Sequence, residues 1–160
     1  MMMKVLLLLF FLSFSCAQTE YHVKKIWLFS KTQYTGTVPV NRNGKQLQTH
    51  PVKIICYLKI SSKNELPDWQ TAFVYGNQYS IDAELPNRDS VAVGTLKNSN
   101  SVVTIKAGAG FALLKLMFTP QGKIEKPEAW QFILNGTLNG KPVYIRSNDP
   151  IVELSPDLMP

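Results

Sequence analysis

A nucleophile needs a base and a metal needs clustered donors; the chain holds both sets of residue types without the spacing either requires. His22 and His50 each stand alone, and no serine sits in a Gly-x-Ser-x-Gly elbow, so no Ser–His pair or histidine metal site is written into the sequence. Asp82 and Glu84 share one face of an alternating stretch but have no third ligand near them. Gly108-Ala109-Gly110 resembles a phosphate cradle only superficially. It lacks the Gly-Lys-Ser/Thr ending and a helix start to hold the anion, and reads as a tight turn or bulge. Cys56 falls among core-facing positions and is expected to be a small buried hydrophobe rather than a nucleophile. The remaining catalytic route is a pair of carboxylates brought together by the fold, as in a small hydrolase; eleven Asp and Glu residues allow it and none announces it. No cofactor or metal is expected.

Binding chemistry is better represented. Lys53, Ile55, Tyr57 and Lys59 form one row of a strand, basic and apolar in turn, which when exposed would suit a glycan, an acidic protein or a lipid surface. Covered by a second layer, the same row would be packing, with the lysines reaching out to water. Trp69 follows Pro67-Asp68 and reads as a plug over one end of the core or as an aromatic contact. The candidate binding residues are therefore Lys53, Tyr57, Lys59 and Trp69. Asn135-Gly136-Thr137 is also a glycosylation sequon.

Charge points the same way. From Gln18 to Leu66 there are eight basic residues against two acidic ones, a net of +6, whereas Pro67–Pro160 carries eight against nine, a net of −1. A basic half fits an anionic surface, glycan or protein partner, and equally a soluble surface; there is no specific nucleic-acid signal.

The elements that must position these residues are strands. Val52, Ile54, Cys56, Leu58 and Ile60 alternate with Lys53, Ile55, Tyr57 and Lys59, the pattern of a half-buried antiparallel strand. Asn139-Gly140 between two alternating runs predicts a type I′ hairpin with Leu138 opposite Lys141, Gly136 opposite Val143 and Leu134 opposite Ile145. Trp130, Phe132, Leu134, Val143 and Ile145 then share the inner face, Ile133 is a misfit, and Pro142 marks Lys141–Arg146 as an edge. A rival reading makes Pro127–Leu134 a short helix.

Further hairpins are expected around Asn43-Gly44, around Gly76-Asn77 with Val74 opposite Tyr79 and Ala72 opposite Ile81, and around Asn98-Ser99-Asn100. Tyr21–Ser30 reads as a strand buried on both faces toward its end, or bulged. Phe111–Phe118, apolar on both faces apart from Lys115, reads as a central strand, Gln121–Ala129 as a crossing, and Ile151–Leu154 as a last strand. About ten short strands without a helical period predict an all-β fold, an antiparallel sandwich or alternatively a small closed barrel.

Met1–Ala17 has a lysine, a short apolar run and small residues at its end, the organisation of a cleaved export signal. Cleavage is expected after Ala17, or before Cys16 with that cysteine carrying lipid. Residues 18–160 then form one domain of 143 residues with no transmembrane segment, located in a periplasm, outside the cell or lipid-anchored at its envelope. With Cys56 its single remaining thiol, that domain has no internal disulfide and relies on its core. The functional expectation is an exported, non-enzymatic binding or adaptor module; the alternatives are a lipocalin-like carrier of an apolar molecule and a small hydrolase.

Overall fold

Asn139 and Gly140 both have positive φ, 52° and 74°, and the strands they join pair Leu138 with Lys141, Gly136 with Val143 and Leu134 with Ile145. The chain is seen here as a computed structural model that describes residues 18–33, 42–43, 52–87, 89–121 and 132–157. The export signal with Cys16, nearly all of the Asn43-Gly44 hairpin with His50, and the crossing before Phe132 with Trp130 lie outside the described residues. Phe132–Leu134 is strand, so the helical reading fails where it can be inspected.

Eleven strands are formed among the described residues: β1 Thr19–Glu20, β2 Lys25–Gln33, β3 Val52–Ser61, β4 Asp68–Val74, β5 Asn77–Ala83, β6 Ser90–Thr95, β7 Val102–Lys106, β8 Phe111–Pro120, β9 Phe132–Leu138, β10 Lys141–Ser147 and β11 Val152–Asp157. The fold is all-β. Nine strands make one mixed sheet in the order β1-β10-β9-β4-β5-β8-β3-β2-β11, and β6 and β7 form a separate pair. No helix of the described residues is long and apolar enough to cross a membrane.

Chain length forces this sheet to curl. β1 and β2 are seven strand spacings apart in the sheet, roughly 34 Å if it were flat. Only residues 21–24 connect them, a reach of at most about 18 Å. The link from β10 to β11 sets the same demand, with four residues across seven positions. The sheet therefore bends into a half-barrel whose two ends meet, and both short links cross the seam. Inside lies one continuous core drawn from β2, β3, β4, β5, β8, β9 and β10, including Leu58, Leu116, Leu134 and Phe132.

A second, smaller core lies on the outer face of β2, β3 and β8, where Phe29, Ile55, Tyr57 and Leu113 are covered by Ile105 of β7 and Leu154 of β11. The alternation of Val52–Ile60 is thus reproduced with both faces used: Ile54, Cys56, Leu58 and Ile60 point into the half-barrel, Ile55 and Tyr57 under the β6–β7 layer. Val52, at the open end of β3, stays exposed despite its inward phase. β2 is apolar on both faces for the same reason, with an unbroken register to β3 and no bulge. β8 pairs on both sides, as its apolar character requires.

Three details depart from the sequence expectations. The β4–β5 turn is centred on Tyr75-Gly76, φ 53° and 78°, so Ala72 faces Tyr79 and Val74 faces Asn77, a slip of two residues that keeps every side chain on its face. The ring of Tyr75 packs on the main core from that position, which offsets the ~1–2 kcal/mol cost of a left-handed non-glycine residue. Trp69 lies within β4 rather than in a loop, beside a bulge opposite β9. β10 is not the outermost strand, because β1 joins it in parallel at Val143 and Tyr144, leaving Pro142 without a partner on that side.

Candidate functional site

At the seam two strands run out of partners. β11 pairs with β2 only from Phe29 onward, and β1 follows β10 only to Tyr144, where the Tyr21 amide donates to the Tyr144 carbonyl at 2.8 Å. The edges of Lys25–Leu28 and Ile145–Ser147 thus have no strand beside them among the described residues. Between them lies an open groove of about 460 Å³, lined by residues 20–26 and by Ile145, Arg146, Ser147 and Asp149. Its floor is apolar, since Ile26 and Ile145 belong to the main core.

The walls are mostly basic. His22 and Lys24 come from the link between β1 and β2, Lys25 from the start of β2, and Arg146 from the far end of the chain. Lys59 stands directly opposite Lys25 on β3, and adjacent like charges repel unless something else is bound between or around them. Part of that repulsion is offset locally: the Lys25 ammonium lies 5.1 Å from the Trp27 ring centre and that of Lys59 5.0 Å from Phe111. Of the two carboxylates, Glu20 lies 4.0 Å from Arg146, and Asp149 accepts the Ser147 hydroxyl at 2.9 Å while its own amide donates back to that oxygen. The groove thus holds three cations, Lys24, Lys25 and Arg146, against two carboxylates, and the contact with Glu20 engages Arg146 in turn. Tyr21 closes the groove behind its backbone, donating its hydroxyl to the Glu65 carbonyl at 2.9 Å; burial raises its pKa, so it remains neutral.

No family model, curated protein or solved structure matches the chain.

The residues singled out from sequence are not brought together. Lys53 and Lys59 sit six positions apart on β3, about 20 Å along the strand. Tyr57 lies between them at 4% exposure beneath the β6–β7 layer, its pKa raised by burial and by the charge of Glu84. Trp69 is on the other side of the sheet, 8% exposed, with its ring edge-on to Tyr21 at 5.7 Å. Lys59 alone adjoins the seam, through Lys25.

Other chemistry-bearing residues remain apart. Cys56 is fully buried and free, and burial pushes its thiol far above the usual range, which removes the thiolate a nucleophile needs. Among the described residues no group of three His, Cys, Asp or Glu side chains could hold a metal. Gly108 and Gly110 have φ of 77° each and make the tight turn into β8, with the Phe111 amide on the Gly108 carbonyl. Asn135 of the sequon is half-buried in β9 and accepts from the Gln18 side chain at 3.2 Å.

Sequence reasoning noticed Lys24 and Lys25 as part of a basic half but had no signal to join them to Arg146, 121 positions away. Only the closure of the sheet does that.

Proposed function

We propose that this chain is an exported, non-enzymatic binding module that holds an anionic macromolecular partner in the seam groove. One observation carries the reading: basic side chains from both ends of the domain, Lys24 and Lys25 with Arg146, converge on a single groove in which they outnumber the two carboxylates, Glu20 and Asp149. Export rests on the character of Met1–Ala17 and leaves a periplasmic, extracellular or lipid-anchored location open to the same partner class.

A lipocalin-like carrier is the second reading, favoured by an apolar cleft of about 270 Å³ among Ile54, Tyr75, Tyr79 and Ile151. That volume falls just below the ~300–1,000 Å³ usual for a ligand pocket, and core side chains occupy the half-barrel itself.

The test is binding of the mature chain to three polyanions, heparin, poly-glutamate and anionic lipid vesicles, at low and physiological salt. Lys24→Gln/Lys25→Gln/Arg146→Gln should weaken whichever interaction the parent makes by about tenfold or more, or ~1.4 kcal/mol. Lys63→Gln/Lys106→Gln/Lys141→Gln, which changes the net charge equally away from the groove, should leave it within about twofold. Equal losses in the two variants would reduce the effect to net charge and sink the proposal.

A further inference from the structure

Resting on that reading, we infer that the seam groove takes an extended acidic peptide by strand addition. The groove is bounded by two incomplete strand edges, Lys25–Leu28 where β11 has not yet joined β2, and Ile145–Ser147 where β1 has left β10. Edges of this kind present rows of N–H and C=O groups at fixed spacing, a template that another strand satisfies and a sugar or lipid headgroup does not. The longer edge accommodates about four residues, roughly 13 Å of extended chain.

Within each strand edge, neighbours point to opposite faces: Ile26 and Ile145 into the core, Lys25 and Arg146 out of it, with Lys24 just ahead of β2. Ile26 and Ile145 lie at its floor and Lys24, Lys25 and Arg146 along its walls. An incoming strand places alternate side chains on opposite faces, so the complement is a segment alternating acidic with apolar residues, its apolar side chains toward the isoleucines and its carboxylates toward the cations. Charge complementarity selects the peptide, and the strand edges set its conformation.

The probe is a seven-residue peptide alternating glutamate and valine, capped at both ends, titrated into the mature chain. Two analogues of equal charge are N-methylated at the valines or at the glutamates, each removing the N–H donors of one strand edge. The parent peptide should bind and protect from hydrogen exchange the alternate amides that point away from β3 in Lys25–Leu28 and away from β9 in Ile145–Ser147, the Arg146 amide among them. At least one analogue should bind about tenfold or more weakly, because its edge can no longer pair. If both analogues bind within about twofold of the parent peptide, charge alone holds it and strand addition is wrong. If heparin binds at the groove and the peptide does not, the anionic reading stands and this inference falls. If neither the peptide nor any of the three polyanions binds, both fall.

Discussion

Phe132→Ala should cost about 3–5 kcal/mol in chemical denaturation, among the most damaging single changes in the domain. Phe132 begins β9 at 1% exposure and stacks on Phe118 with ring centres 5.9 Å apart, joining the β9–β10 hairpin to β8 across the half-barrel. Alanine would leave a cavity inside the main core, beside Phe118. A domain of this size has only about 5–15 kcal/mol of stability, so the variant should lie close to unfolding. Thr137→Ala, on the outer face opposite Pro142, should stay within about 0.5 kcal/mol of the parent. Equal losses in the two variants would mean that the inward and outward faces of the hairpin have been exchanged.

Gly136→Val should be comparably destructive, for a different reason. Gly136 lies between Val143 of β10 and Trp69 of β4, where the bulge in β4 brings backbone over it. A Cβ there would stand 2.5 Å from the Asp68 carbonyl oxygen and 2.9 Å from the Trp69 ring. Backbone cannot yield as a flexible side chain can, so the cost should reach or pass the upper end of the ~1–3 kcal/mol usual for overpacking. Gly140→Ala is the informative comparison. Nothing lies within 4 Å of a Cβ at Gly140, and only its φ of +74° resists, which sets a loss of about 1–2 kcal/mol. Denaturation midpoints should place Gly136→Val well below Gly140→Ala; the reverse order would show that β4 does not approach β9 this closely.

These variants mark what was legible in the sequence. The Asn139-Gly140 hairpin could be read to the residue because turn chemistry and alternation specify the same register. The same reasoning misplaced the Tyr75-Gly76 turn, where packing of one aromatic ring outweighed the local preference for glycine first. Alternation along Val52–Ile60 gave its faces but not what covers the outer one, since Ile55 and Tyr57 read alike whether exposed or under β6–β7. The role of Gly136 depends on a strand some 65 positions earlier, and the groove on the meeting of sheet ends that no local pattern encodes. Basic residues could be counted from sequence; their convergence could not.

That convergence is the central claim, and a distance measures it most directly. Spin labels at Lys25→Cys and Arg146→Cys report across the seam, while Cys56, sealed in the core, stays unlabelled. In register, Arg146 leads through Ile133, Phe73 and Gln78 to Gln121, and Lys25 leads through Lys59 to Leu113, further along the same strand. A flat sheet with that offset would hold the two residues about 40 Å apart. Lining one groove of about 460 Å³, they should instead give an electron–electron distance under about 25 Å, label arms included. A distance near 40 Å would contradict the closure of the sheet and remove the groove with it.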